Sequence, residues 1–252
     1  MIETRQVVKR HGSHTVLHAV SVQIPDHKFS AIIGPNGAGK SPLLSRVSRL
    51  DAITSGSAHV AGLDVTKTAS DALAKVMAIL RQDNQSALRL TVRDLVGFGR
   101  FPHSQGRMTA QDLQHVDEAL AFLQLEALAD RYLDELSGGQ RQRAYIAMVL
   151  YQDTPYILLD EPLNNLDMAH AVSMMKLLRR MVDERGKTVV VVVHDINFAS
   201  CYSDRIIAMR DGALMCQGTP ADIMTPEVLR TIYDIDIRIE TIGDQRIGVY
   251  FT

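Results

Sequence analysis

The stretch Phe29-Ser30-Ala31-Ile32-Ile33-Gly34-Pro35-Asn36-Gly37-Ala38-Gly39-Lys40-Ser41 decides how this 252-residue chain folds. Five residues with no charge read as a buried strand, and Gly34 ends it. Gly34, Pro35, Asn36, Gly37, Ala38, Gly39, Lys40 and Ser41 then fit the eight-residue pattern G-x-x-x-x-G-K-[ST], in which successive backbone N–H groups wrap a phosphate at a helix N-terminus. The glycines permit dihedrals and close approach that a Cβ would block. Lys40 supplies a mobile positive charge for the terminal phosphates, and Ser41 a hydroxyl oxygen for Mg²⁺. Beyond the loop, Leu43, Leu44, Val47 and Leu50 recur at helical spacing, so a helix is expected over 42–50. Strand, glycine turn and helix are contiguous, which specifies an α/β nucleotide site.

The same rhythm extends outward. Val20-Ser21-Val22-Gln23-Ile24 alternates as a strand, residues 56–66 read as a strand pair around Gly62, and Val76-Met77-Ala78-Ile79-Leu80 as a strand leading to Gln82. From 83 to 150 the character is mainly helical, with Thr91 capping one helix, a second spanning 111–128 and a third beginning at Arg141. Tyr156-Ile157-Leu158-Leu159-Asp160, a helix over 169–184, and Thr188-Val189-Val190-Val191-Val192-Val193 restore the α/β pattern. Continuous β-branched runs of that kind belong to a sheet buried on both faces. The tail repeats strand, turn and helix around Asp211-Gly212 and 226–233. No uninterrupted apolar run approaches the roughly 20 residues that span a bilayer, and the start Met1-Ile2-Glu3-Thr4-Arg5 has no signal-peptide character, so a cytosolic location is expected. Cys201 and Cys216 read as free thiols. A net charge of −2 with mixed signs speaks against a nucleic-acid face.

Two further clusters narrow the chemistry. Ser137, Gly138, Gly139 and Gln140 introduce a helix, with a serine able to cap it and two glycines exposing amides towards an anion. Asp160 ends an apolar strand, where a carboxylate can hold Mg²⁺ through water, and Glu161 is placed to orient an attacking water. His194 follows a strand end, where it can donate a hydrogen bond to the γ-phosphate; the other histidines except His11 read as structural.

Leu136-Ser137-Gly138-Gly139-Gln140, Asp160-Glu161, Asn164-Asn165-Leu166-Asp167, His194 and Gln82 together resemble the signature motif, Walker B end with catalytic glutamate, D-loop, switch histidine and Q-loop of the ABC ATPases, in that family's order. The resemblance covers nearly the whole chain. It implies a single ABC ATPase domain over 1–252: a P-loop NTPase (RecA-like) α/β core with an antiparallel β subdomain (1–82 and 151–252) and a helical subdomain (83–150). It implies ATP and Mg²⁺ as cofactors, Ser41, Gln82 and Asp160 around the metal, and Glu161, His194 and Gln82 in catalysis. It also implies a head-to-tail homodimer, in which Ser137, Gly138, Gly139, Gln140 and Asp167 of one copy close over the nucleotide held by 34–41 of the other, together with polytopic membrane permease subunits and, indirectly, an external substrate-binding protein. Single-copy architecture and the lack of a long coiled-coil insertion point away from translation and chromosome-maintenance relatives. The stretches Leu80-Arg81-Gln82-Asp83-Asn84-Gln85, 90–102, Leu163-Asn164-Asn165-Leu166-Asp167-Met168 and 245–251 resemble ferric-siderophore importers of catecholate type; cobalamin, haem or another metal chelate is the alternative cargo, and a soluble non-transport ABC ATPase the alternative class.

Three positions depart from the family. Pro42 stands where a second hydroxyl residue is usual, removing a hydroxyl and an N–H near the phosphates and biasing Ser41 away from helical dihedrals, so weakened binding or hydrolysis is expected. His11 stands where an aromatic residue usually stacks on adenine, and imidazole can stack over less area. His27 stands where glycine is common. Phe98, Phe101 and Arg100 form either a docking surface for the membrane subunit or, for the two rings, part of the helical core.

Overall fold

The computed structural model describes residues 1–82 and 89–251, and two compact units emerge: residues 1–68 with 175–252, and residues 69–174. In the first, β1 (Ile2–His11), β2 (His14–Ile24), β4 (Ser55–Val60) and β5 (Leu63–Asp64) form an antiparallel sheet in the order β2-β1-β4-β5. Between them run β3 (Phe29–Ile33), whose five residues are all buried, and α1 (Lys40–Val47). The expected helix starts two residues earlier than its apolar pattern and stops at Val47, because Arg49 turns left-handed and Leu50 N–H folds back on Ser45 O.

The second unit opens with α2 (Ser70–Val76), which the sequence reading passed over, and β6 (Met77–Leu80), then α3 (Val92–Phe98), α4 (Phe101–Ser104), α5 (Ala110–Phe122), α6 (Gly138–Tyr151) and β7 (Tyr156–Asp160). β6 and β7 pair in parallel, with Leu80 opposite Leu159. The helical stretch expected over 83–150 thus lies inside a larger body that also contains the strand of Asp160. Thr91 caps α3, as read from the sequence, and the structure adds a reciprocal box with Asp94. The helix expected over 111–128 breaks, however. Gln124 adopts φ +55° and Leu125 N–H returns to Leu120 O, burying Leu125 completely, so the apolar spacing continues past the helix end.

α7 (Met168–Asp183) carries the chain back to the first unit, followed by β8 (Thr188–Val192), α8 (Ile196–Tyr202), β9 (Arg205–Arg210), β10 (Ala213–Gly218), α9 (Pro220–Ile223), α10 (Pro226–Tyr233), and the hairpin β11 (Arg238–Ile242) with β12 (Gln245–Val249). Here β3 lies between β8 and β9, parallel to both, and β10 extends β9 antiparallel. The β-branched run of β8 is buried throughout, as its composition required. Among the described residues no helix is long and apolar enough to cross a membrane.

Arg100 corrects the sequence reading. It does not sit on a charged surface: its guanidinium is 13 % exposed and donates to Asp112 at 2.9 Å and to Tyr151 O. Asp112, 8 % exposed, also accepts the Thr109 N–H and hydroxyl. The Thr109 amide, then its hydroxyl, then Arg100 hold this carboxyl down to about 2. Because the folded value lies below the unfolded one of about 3.9, this stabilisation is complete above that pH and is lost as pH falls towards 2. Arg100→Ala should therefore cost about 1.5–3 kcal/mol in urea unfolding at pH 7, the worth of a hydrogen bond between charged groups, since Asp112 keeps both Thr109 bonds. The deficit should shrink at pH 2.5.

Candidate nucleotide site

The first unit builds the phosphate loop. Gly34 leaves β3 with φ +145°, and a Cβ there would lie 2.1 Å from the Met209 carbonyl oxygen on the neighbouring β9, so only glycine fits. Gly37 and Asn36 form the exposed tip, while Gly39 caps α1 in the left-handed region. Lys40, 4 % exposed, folds over the loop and donates to Gly34 O at 2.9 Å and Pro35 O at 3.0 Å. The ammonium is therefore already inside the loop where phosphate oxygens would compete for it.

Ser41 is helical despite the proline after it. The bias that Pro42 imposes is overridden because Leu43 N–H closes the first turn on Gly39 O, and Leu43, Leu44 and Val47 are buried. The carbonyl that a residue-42 amide would meet four positions back, Ala38 O, instead accepts the Gly212 N–H at 3.1 Å. What Pro42 removes is thus one first-turn donor and one hydroxyl. Pro42→Thr is expected to raise ATP affinity or turnover about threefold to tenfold, the worth of one added hydrogen bond; calorimetry and steady-state kinetics would read it, and an unchanged variant would contradict it.

His194 lies beyond the end of β8. Since Ile32 pairs with Val192 and Val193 N–H bonds Ile32 O, the exposed His194 emerges alongside Gly34. His11, also exposed, ends β1 opposite His14 at the tip of a hairpin whose Leu17 reaches Gly39. The first unit therefore gathers 34–41, His194 and the hairpin of His11 at one end of the β3 layer. His27 adopts φ +55° with its ring against Gly186 O, which explains why a glycine would suit that position.

The second unit holds the carboxylates. Asp160 and Glu161, 6 % and 8 % exposed, lie at the end of β7, and Glu161 takes φ +50°, a strained value for a non-glycine residue. Its Oε2 accepts the Gln82 amide at 2.8 Å and the Asn164 amide at 2.7 Å. Gln82 follows β6 and Glu161 follows β7, so parallel pairing of the two strands sets the first contact. Sequence reasoning gave Gln82 a metal and catalytic role and assigned Asn164 none; the structure makes both amides orienters of Glu161. The only available signal for Asn164 was its spacing three residues after Glu161. Asp83, Asn84 and Gln85 lie outside the described residues.

Ser137 caps α6 in a reciprocal box with Gln140, its hydroxyl accepting from Gln140 N at 3.3 Å while Gln140 Oε1 accepts from Ser137 N at 3.0 Å. A Cβ on Gly139 would lie 3.1 Å from Asn165 O, so this helix start rests directly on the 164–167 loop. Asp167, largely exposed, accepts the His170 backbone N–H and ring at the start of α7, and those two bonds hold its carboxyl below its ordinary value. His170 was read as structural, and it is the residue that orients Asp167. Among the described residues no cluster of three or more His, Cys, Asp or Glu could cage a metal.

A phosphate loop entering α1, a strand ending in Asp160-Glu161 and a capped glycine pair at α6 define an ABC-type ATPase. The chain belongs to the ABC transporter family, whose pattern matches residues 17–164, and it is an ATP-hydrolysing subunit. It is 55 % identical, over all of both chains, to the petrobactin import ATP-binding protein YclP of Bacillus subtilis (strain 168). It is also 40 % identical to the ferric enterobactin transport ATP-binding protein FepC of Escherichia coli (strain K12), over 91 % of this chain and 86 % of that one. A dimeric ATP-binding cassette solved in a post-hydrolysis state with ADP and phosphate superimposes with a TM-score of 0.80 at 32 % identity, covering 87 % of this chain and 99 % of that one.

Proposed function

We propose that this ATPase energises import of an iron(III)-siderophore, working as a homodimer on the cytoplasmic face of a bacterial inner membrane beneath two membrane permease subunits. The full-length 55 % identity to a petrobactin import ATP-binding protein carries this reading. The amides of 34–41 and Lys40 hold the phosphates, and Ser41, Asp160 and Gln82 would hold Mg²⁺. When bound, that cation supplies charge neutralisation on the β- and γ-phosphates. Glu161 orients the attacking water, His194 donates to the γ-phosphate, and His11 covers the adenine. Ser137, Gly138, Gly139, Gln140 and Asp167 come from the opposite copy, so that closure and hydrolysis alternate.

The permease contact falls on the second unit. Phe98 and Phe101, 47 % and 55 % exposed, are not core; with Met108 and Leu113 they line a groove of about 470 Å³. Such an apolar patch suits a short helix of the membrane subunit. The test is uptake of radiolabelled iron-petrobactin by cells whose chromosomal copy is replaced by the native gene or by Lys40→Ala. Uptake lost only in the variant supports the reading. Iron uptake that is unaffected, with cobalamin or haem uptake lost instead, would reassign the cargo.

A further inference from the structure

The C-terminal strand β12 is fastened to α8 chiefly by one side chain. Asn197 Nδ2 donates to Gly248 O at 3.2 Å, and Asn197 Oδ1 accepts the Gly248 N–H at 2.7 Å. An amide that donates and accepts at once takes the place of a strand partner on the edge of β12 that faces the helix. Gly248 permits the close approach, because a Cβ there would lie 2.7 Å from Ile196 Cδ1, and Ile196 is 4 % exposed. One turn further along α8, the Ser200 hydroxyl donates to Arg246 O at 2.7 Å, and the Arg246 guanidinium donates to Ala221 O and Met224 O at the end of α9. The strand is thus held between two helices.

The residue this clamp bears on is His194. On one side of it, Val193 N–H bonds Ile32 O at 3.2 Å, which fixes the end of β8 to β3. On the other side, Asp195 caps α8 by accepting the Asn197 N–H at 2.7 Å. Among the described residues from 188 to 200, His194 is the one exposed, so a single exposed side chain stands between two anchored segments. Asn197 serves both halves of the second anchor: its backbone closes the cap on Asp195, and its side chain grips β12.

We propose that Asn197 is a positioning residue for hydrolysis, which locks the first turn of α8 onto β12 and so fixes where His194 stands. The proposal rests on the role given to His194 above. Without the Asn197 amide the cap on Asp195 survives, since it uses a backbone N–H, but the turn that carries it loses its outer hold. A hydrogen bond to the γ-phosphate is directional, so a loosened His194 costs rate. The amides of 34–41 and Lys40, which hold the phosphates, are unaffected, so affinity for ATP is kept.

The experiment compares native protein with Asn197→Ala, His194→Ala and the double variant by steady-state Mg-ATP hydrolysis well below melting, and by thermal melting of the full chain. Asn197→Ala is expected to lower kcat about threefold to tenfold, with KM for ATP within about twofold of native. His194→Ala should lower kcat more. In the His194→Ala background, Asn197→Ala should change kcat less than about twofold, because the group it positions is gone, while its effect on the melting temperature stays the same in both backgrounds. Should Asn197→Ala not fold, Asn197→Asp carries the same comparison, since it keeps the acceptor for Gly248 N–H and loses only the donor to Gly248 O. A native kcat in Asn197→Ala beside a reduced one in His194→Ala would overturn the proposal alone, as would effects of the two changes that multiply in full. A native kcat in His194→Ala would overturn the role of the histidine itself, and the proposal with it.

Discussion

Lys40→Ala is expected to lose both nucleotide affinity and turnover, the affinity by about 10- to 100-fold, as fits the removal of one charge-assisted contact worth about 1.5–3 kcal/mol. Two effects combine. The ammonium that would meet the terminal phosphates disappears, and the loop loses the internal brace from Lys40 to Gly34 O and Pro35 O. The second effect can be separated from the first, because a loosened loop would bind ADP less well too, whereas loss of terminal-phosphate contact falls chiefly on ATP. Titration of each nucleotide by calorimetry measures the two together. Equal, native-like affinities for both would contradict the placement of phosphate at 34–41.

Glu161→Gln has the larger expected effect on rate. The side chain keeps its size, and its amide oxygen can still accept from Gln82 and Asn164, so the constellation seen around Oε2 survives the change. Only the carboxylate's charge and proton affinity are removed. Turnover should fall at least about 100-fold, the lower range for a positioned general base, while ATP still binds. A variant that hydrolyses ATP at a native rate would mean that the strained φ of Glu161 and its two amide donors serve structure alone.

The phosphate loop was legible because everything it needs is contiguous: β3, the turn of 34–41 and α1 follow one another in the chain. Caps were legible for the same reason, Thr91 with Asp94 and Ser137 with Gln140 standing three residues apart. Contacts that the fold makes across long separations were not. Gln82 and Glu161 are 79 residues apart and meet because β6 and β7 pair in parallel. Arg100 looked like a surface charge between two phenylalanines; a single sequence does not reveal that Asp112, already engaged by Thr109, faces it from α5. Pro42 was read correctly as a lost donor and wrongly as a distortion of Ser41, since the burial of Leu43, Leu44 and Val47 outweighs a local dihedral preference.

Lys40 and His194 lie in one unit, and Asp160, Glu161 and the capped glycines of α6 in the other. In the proposed dimer, a nucleotide on 34–41 of one copy is completed by 137–140 of a second. Light scattering of Glu161→Gln protein during a Mg-ATP titration tests this directly, because hydrolysis no longer reopens the pair. The expected result is a doubling of mass as ATP saturates and a return to single chains with ADP. A single-chain mass at saturating ATP would contradict it.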